Sequence, residues 1–128
     1  MIRKFHEAKL NNNSIVELWG TGSPMREFLH VDDLGKAVLF ALENTLEKHL
    51  YNVGTGVDIT IEELAKLIQS IVGHKGKIVW DKSKPDGTPR KLLDISKYKA
   101  LGWSSSTQLK DGIEETYKWF LNTKQIVN

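Results

Sequence analysis

The clearest hydrophobic pattern in the chain is helical and lies between residues 60 and 73. Its apolar positions recur with helical spacing at Ile61, Leu64, Ala65, Ile68, Ile71 and Val72. Thr60 and Glu63 have the spacing of a capping box, in which the side chain of each residue bonds the backbone N–H of the other. Because Gly73 readily adopts the left-handed conformation that ends many helices, the pattern predicts an amphipathic helix that stops there.

Helical and extended patterns alternate along the rest of the chain, which predicts an α/β fold. Further helices are predicted over residues 2–10, from about Asp33 to Glu43, over a short segment from Ser96 to Gly102, and from about Thr107 to Leu121. Strands are predicted over residues 15–19, 26–30, 50–53 and 77–80.

Residues 38–42 are apolar nearly all round the second helix, which predicts that this helix is covered on more than one side. Residues 50–53 predict a buried strand, which ends in the turn Gly54-Thr55-Gly56. This turn lacks the third glycine and the immediate helix of a dinucleotide-binding loop. A tight turn at the strand end is therefore the stronger interpretation, and phosphate binding the weaker one.

Histidines and carboxylates give little indication of a metal or catalytic centre. Asp32 is placed to accept hydrogen bonds from free backbone N–H groups at a helix start, and Asp33 to complement the helix dipole. Beside His30 they are therefore interpreted as helix caps, and no metal site is predicted. The remaining histidines are interpreted as surface residues: His6, His49 and His74.

Composition narrows the possible functions. The 128 residues allow one domain, and 40% hydrophobic with 27% charged residues exclude a disordered chain. No apolar run reaches the roughly 18 residues of a membrane span, so we expect a soluble, cytoplasmic protein without a membrane partner. The chain has no cysteine, which excludes disulfides, thiolate metal sites and a cysteine nucleophile.

Charge is concentrated in one segment. The net charge of +2 is too small to indicate nucleic-acid binding, but residues 75–99 hold eight basic and three acidic groups, a local balance of +5. Within it, the loop of residues 83–91 carries three basic groups and is stiffened by Pro85 and Pro89. Such a loop suits either the capture of a diphosphate or simple solvation.

An aromatic residue and an arginine flank the glycine-rich turn GTGSP. Trp19 precedes this turn and Arg26 follows it. An aromatic face can cover a planar base, and a guanidinium can hold phosphate or ribose oxygens in a bidentate manner. The pair suits a nucleotide. The simpler alternative is that Trp19 packs against the protein and Arg26 is an ordinary surface charge.

Three strings together are more specific than any single motif: LWGTGSPMREFLHVDDLGKA, YNVGTGVDITIEELA and KSKPDGTPRKLLDISKYKALGW. They resemble the C-terminal part of the GDP-L-fucose synthase family, NADP-dependent epimerase–reductases among the extended short-chain dehydrogenases/reductases. The resemblance implies that residues 1–128 form a C-terminal substrate-binding lobe plus remnants of a Rossmann-type cofactor domain. Elements within residues 29–56 would complete the Rossmann sheet.

The family converts GDP-4-keto-6-deoxy-D-mannose to GDP-L-fucose by two epimerisations and a hydride transfer. Its NADP-binding loop and its catalytic serine, tyrosine, lysine, cysteine and histidine lie upstream of the matching region. The resemblance therefore assigns no catalytic or cofactor-binding residue here, and we expect NADP to bind only the complete enzyme. We expect the chain alone to be inactive.

The resemblance also implies substrate-binding residues and partners. Trp19 and Arg26 match family positions that contact the GDP moiety, and Lys91 matches a basic residue near it. Lys4 and Lys77 fall where relatives carry arginine, so they keep the charge and lose the bidentate fork. Expected partners are the GDP-sugar, the missing N-terminal portion and, through exposed apolar surface, a second copy. Two alternatives to this function remain: a fragment of another nucleotide-sugar epimerase or reductase, or a non-catalytic module for nucleotide binding or interaction.

Overall fold

A computed structural model describes residues 1–47 and 50–126, with side chains up to residue 123. The helices are α1 (Ile2–Leu10), α2 (Val31–Glu43), α3 (Ile61–Val72), α4 (Ser96–Ala100) and α5 (Leu109–Ile126). The strands are β1 (Ile15–Trp19), β2 (Met25–Glu27), β3 (Asp58–Thr60), β4 (Lys77–Asp81) and β5 (Arg90–Lys91). The predicted α/β class is confirmed.

The strands form two small sheets. In the first, β1 and β4 run parallel, in a register that pairs Ile15 with Lys77 and Trp19 with Asp81. In the second, β2 is the central strand, antiparallel to β3 and parallel to β5. The parallel crossover between β1 and β4 contains α3, as parallel strands require a long connection.

The main core lies between α1, α3, α5 and one face of β1. Burial alternates along β1, with Val16 and Leu18 turned inward, as expected for a strand with one covered face. Phe5 of α1 and Ala65 of α3 are fully buried in this core, and Ile113 of α5 closes it. The amphipathic helices and the short strand thus share one apolar centre.

Helix α3 confirms the sequence interpretation in detail. The Thr60 hydroxyl accepts the Glu63 N–H at 3.1 Å, and the Glu63 carboxylate accepts the Thr60 N–H at 2.8 Å. Gly73 ends the helix with φ of +75°. Both ends of α3 are therefore specified by local sequence.

Two predictions about apolar segments are wrong for this chain. Helix α2 buries only Asp33 and Ala37 among the residues of its span, and Leu39 and Leu42 are exposed. Residues 50–53 form no strand, and Leu50 is exposed. A strand needs a hydrogen-bonded neighbour, and among the described residues none pairs with residues 50–53. A helix that is apolar nearly all round needs cover on more than one side, and the described residues pack against α2 on one side only.

The prediction of surface histidines is wrong for two of the three. His6 and His74 are each only 7% exposed. The His6 ring lies 3.0 Å from the Tyr117 hydroxyl, and His74 Nε2 lies 2.8 Å from the Asn13 carbonyl oxygen. Their partners are far away in sequence, which is why local pattern did not reveal them. His49 lies outside the described residues.

A second, smaller cluster joins α2 to α4. Ala37, Tyr98 and Trp103 are buried together, and the Tyr98 hydroxyl donates to the Ala37 carbonyl at 2.5 Å. Burial raises the pKa of the Tyr98 hydroxyl. No helix of the described residues combines the length and the apolar content that a membrane crossing requires.

Two glycines with contrasting surroundings test this packing. A Cβ on Gly76 would collide with the backbone of Ser14, whereas a Cβ on Gly35, within α2, has open space around it. We expect Gly76→Ala to lower the free energy of unfolding by about 1–3 kcal/mol through this clash. Gly35→Ala should raise it by about 0.5–1 kcal/mol through helix propensity.

Urea denaturation of the two variants beside the unsubstituted chain provides the measurement. Equal effects of the same sign at both positions would contradict the close approach of Ser14 to the start of β4.

Candidate functional site

The glycine-rich turn between β1 and β2 is fixed by two residues that follow β4 or belong to it. Asp86 accepts the Thr21 N–H at 2.9 Å and the Thr21 hydroxyl at 2.6 Å. These bonds lower the pKa of the Asp86 carboxyl. The Trp80 ring lies so close to Gly22 that a Cβ there would be 2.6 Å from it. The basic loop and the turn are thereby held together.

A shallow cleft of about 160 Å³ lies at this turn, between Trp19, Arg26 and residues 85–87. Trp19 is 68% exposed, and Lys84 Nζ lies over one face of its ring, 5.7 Å from the ring centroid. One guanidinium nitrogen of Arg26 donates to the Met25 carbonyl at 2.6 Å. The structure therefore places an exposed aromatic ring and a guanidinium at the same cleft.

The basic residues of the second sheet separate into two roles. Lys91 pairs in register with Arg26, so both side chains stand on the same face of neighbouring strands. Arg90 instead binds the Asp58 carboxylate, with 2.6 Å from Nε to Oδ2 and 3.1 Å from Nη2 to Oδ1. This pair lowers the pKa of Asp58 and raises that of Arg90. Arg90 is thus committed to β3, whereas Lys91 forms no ion pair within the described part of the chain.

The other two predicted binding lysines lie along the first sheet. Lys4 donates from α1 to the Glu17 carbonyl of β1 at 2.5 Å. Lys77 pairs with Ile15, four residues before Trp19 and on the same exposed face of the sheet. At a rise of 3.3 Å per residue, Lys77 is roughly 13 Å along the strand from the level of Trp19. The structure brings Trp19 and Arg26 to one cleft, places Lys91 beside Arg26 on the neighbouring strand, and leaves Lys77 at a distance.

Glu27 is a structural centre that the sequence interpretation missed. One carboxylate oxygen, Oε1, accepts the N–H groups of Thr55 at 2.5 Å and Gly56 at 2.6 Å. Oε2 accepts the N–H of Leu93 at 3.2 Å. The amides of the turn are therefore occupied by a side chain of the protein itself, which supports the tight-turn interpretation. The only local signal was an acidic residue in a strand, where carboxylates are uncommon.

Asp33 lies in the first turn of α2, as predicted, and has a second role that the sequence did not indicate. It is 1% exposed, and its carboxylate accepts the Ser106 N–H at 2.9 Å, the Ser106 hydroxyl at 2.9 Å and the Thr107 N–H at 2.7 Å. Burial favours the protonated form, but these hydrogen bonds outweigh it and hold the pKa of Asp33 well below its usual range. Asp33 thus connects the first turn of α2 to the segment just before α5.

The predicted cap by Asp32 is wrong. His30 is the N-cap residue of α2, and no side chain caps the helix there. Instead His30, Asp32 and Glu115 of α5 place one ligand atom each within 4.8 Å of one another. Asp32 and Glu115 have side chains 73% and 59% exposed. Three donors, two of them in solvent, suit an ion-pair cluster better than a closed metal site, so the absence of a resident metal stays a prediction.

Comparison with known proteins first defines a class. The model of the NAD dependent epimerase/dehydratase family matches residues 1–54. A GDP-mannoheptose C4 reductase from Campylobacter jejuni with NADP bound is a structural neighbour, with TM-score 0.81 and 38% identity. The match covers 94% of this chain and 43% of that one. In sequence and in fold, the chain resembles Rossmann-type nucleotide-sugar epimerases and reductases.

The particular relatives are GDP-L-fucose synthases, which confirms the resemblance drawn from the three strings. Probable GDP-L-fucose synthase 1 of Oryza sativa subsp. japonica is 55% identical over 94% of the chain, and the Escherichia coli K12 enzyme is 50% identical over 97%. A GDP-L-fucose synthetase structure from Naegleria fowleri has TM-score 0.89 at 25% identity, over 97% of this chain and 38% of that one. The chain spans 37% and 41% of the two curated relatives.

Asp33 provides a stability test. We expect Asp33→Asn to lower the free energy of unfolding by roughly 3 kcal/mol at neutral pH, because an amide cannot accept all three backbone and hydroxyl bonds. The depressed pKa of the folded carboxyl means that its stabilisation is present above the unfolded pKa of about 3.9 and is lost as pH falls below it. The difference between the two proteins should therefore shrink in acid.

Urea denaturation at pH values from neutral to acid measures this difference, with Asp32→Asn as the exposed neighbour that should change little. A constant difference down to acid pH would show that the ionised form of Asp33 is not what stabilises the fold.

Proposed function

We propose that the chain is the GDP-sugar-binding portion of an NADP-dependent epimerase–reductase that makes GDP-L-fucose from GDP-4-keto-6-deoxy-D-mannose. The supporting observation is the cleft lined by an exposed Trp19 and by Arg26, with Lys91 in register beside Arg26 on the neighbouring strand. Sequence identity of 50–55% to GDP-L-fucose synthases supports the choice of substrate class.

In this proposal the cleft divides the recognition of GDP between three chemical groups. The exposed ring of Trp19 covers an apolar face of the ligand, and the Arg26 guanidinium offers its remaining donors to the diphosphate. Lys91 adds a point charge from the neighbouring strand. Lys4 and Lys77 lie along the first sheet, where they would contact parts of the nucleotide farther from the turn.

We propose that hydride transfer depends on residues outside this chain. When bound, NADP would supply the hydride that reduces a C4 ketone of the substrate. The amides of Thr55 and Gly56 in the turn already bind Glu27, which argues against a role for these two amides in holding cofactor phosphates. The role of this chain is then to hold and orient the GDP moiety, and we expect the chain alone to bind NADPH weakly and to give no turnover.

The exposed apolar face of α2 supports the proposal that another polypeptide binds the chain there. Five large apolar residues of this helix are between 48% and 79% exposed: Val31, Leu34, Val38, Leu39 and Leu42. Water-exposed apolar area of this extent favours association. We propose that an N-terminal cofactor-binding portion covers it, with residues 29–56 completing the Rossmann sheet, and that a second copy covers it when that portion is absent.

A related substrate is the second candidate. GDP-L-colitose synthase of Yersinia pseudotuberculosis is 42% identical over 97% of the chain, and the Campylobacter jejuni neighbour is a GDP-mannoheptose C4 reductase. These relatives share the nucleotide and differ in the sugar. Preference for GDP over UDP in a binding assay separates this group from UDP-sugar epimerases, and turnover of different GDP-sugars by the completed enzyme separates its members.

Substitution of Arg26 tests the nucleotide site directly. Arg26→Lys keeps the charge but loses the planar fork, so GDP binding should weaken by roughly 1–3 kcal/mol. Trp19→Ala should weaken it too through lost contact area. Isothermal titration calorimetry with GDP measures both effects. Arg3→Lys, the same exchange at an exposed position of α1, is the control, and GDP affinity unchanged in both site variants would refute the assignment.

Lys91 and Arg90 form a matched pair for the electrostatic part of binding. Lys91→Ala should weaken GDP binding and flatten its dependence on salt, because it removes the cation that stands beside Arg26 on the neighbouring strand. Arg90→Ala removes the same charge one residue away, and should mainly lower the melting temperature, since Asp58 loses its partner. GDP titrations at several salt concentrations and thermal melts distinguish the two. An equal loss of affinity in both variants would mean that only the overall charge of the loop matters.

A further inference from the structure

Glu27 joins three segments of the chain: β2, the turn at residues 54–56 and the segment that follows β5. It follows Arg26 on β2, and successive side chains of a strand point to opposite faces, so its carboxylate lies on the face away from the guanidinium. There it holds the N–H groups of Thr55, Gly56 and Leu93. One side chain therefore attaches both the Gly54-Thr55-Gly56 turn and the segment after β5 to the central strand.

The attachment at Leu93 determines where Lys91 stands. Strand β5 has only two residues, and it pairs with β2 through Met25 with Arg90 and Arg26 with Lys91. So short a strand has few ladder bonds to fix its direction. The bond from Leu93 N–H to Glu27 continues the attachment two residues beyond Lys91. Lys91 is thus held on both sides, by the ladder before it and by the carboxylate after it.

The glycine at position 54 fits this role. A Cβ on Gly54 would collide with the Glu27 carboxylate, with its carboxyl carbon at 2.8 Å. Glycine therefore permits the close approach through which the carboxylate reaches the amides of Thr55 and Gly56. The turn sequence that resembles a phosphate-binding loop is explained by an internal carboxylate.

We propose that Glu27 is a positioning residue of the nucleotide site, which holds Lys91 beside Arg26 so that both cations can contact a diphosphate. The inference rests on the proposed function, because it requires that both cations contact the GDP moiety. Glu27 itself contacts no ligand in this account. Its effect on binding is transmitted through the backbone between Leu93 and Lys91.

The sign of a charge-removing substitution distinguishes this role from simple electrostatics. A carboxylate near an anion site repels the anion, so removal of the Glu27 charge alone would strengthen GDP binding. Loss of the backbone anchors would instead release Lys91 and weaken it. Glu27→Gln keeps the shape of the side chain, but its amide can accept from fewer of the three N–H groups.

The test is calorimetric titration of the 128-residue chain with GDP. We expect Glu27→Gln to weaken GDP binding roughly five- to tenfold, comparable to the loss of one charged contact. In a Lys91→Ala background, the same substitution should change affinity by less than about twofold, because the positioned group is already gone. Glu114→Gln, which removes one exposed carboxylate of α5, is the charge control. Gly54→Ala, which displaces the carboxylate and keeps its charge, replaces Glu27→Gln if that variant does not fold.

Each outcome separates the inference from the proposed function. If the unsubstituted chain does not bind GDP, or if Lys91→Ala leaves binding unchanged, the assigned site fails and the inference fails with it. If Lys91→Ala weakens binding but Glu27→Gln strengthens it or has no effect, only the positioning role is overturned. An equal loss from Glu27→Gln with and without Lys91 would also overturn it, since Glu27 would then act on the fold as a whole.

Discussion

The structure depends above all on side-chain carboxylates that accept hydrogen bonds from the backbone N–H groups of distant loops. Glu27, Asp33 and Asp86 each lie on one segment and bind the amides of another that is 28 to 74 residues away. The segments they hold have little regular structure, so their N–H groups lack ladder or helix partners. A buried N–H without a partner costs free energy, and a carboxylate that accepts it gains a charge-assisted bond.

This use of carboxylates affects the electrostatics of the candidate site. Because Glu27 and Asp86 are bound to backbone amides, they are not paired with the nearby cations. Lys91 therefore has no ion pair among the described residues and stands beside Arg26, which lines the cleft, whereas Arg90, the other cation of β5, is neutralised by Asp58. The same bonds fix the loops and leave positive charge for an anionic ligand.

The outer face of α2 shows the opposite situation, because Leu39 and Leu42 are exposed there, as is Leu50 after the helix. Tyr51 and Val53, by contrast, pack against the cluster of Ala37, Tyr98 and Trp103. The chain spans 37% and 41% of the length of the two curated relatives it was compared with. The core between α1, α3 and β1 is well packed, since Phe5 and Ala65 are fully buried there. The chain thus combines a well-packed core with an exposed apolar face on α2.

The sequence by itself determined the elements whose signals are local. Three features depend only on residues that are close in sequence: the caps of α3, the alternation of buried and exposed residues along β1, and the placing of Trp19 and Arg26 on either side of a glycine-rich turn. The tertiary structure alone decided the partners of Glu27 and Asp33, the burial of His74 and the separate roles of Arg90 and Lys91. These depend on contacts between residues far apart in sequence, and hydrophobic periodicity carries no information about which distant amide a carboxylate will meet.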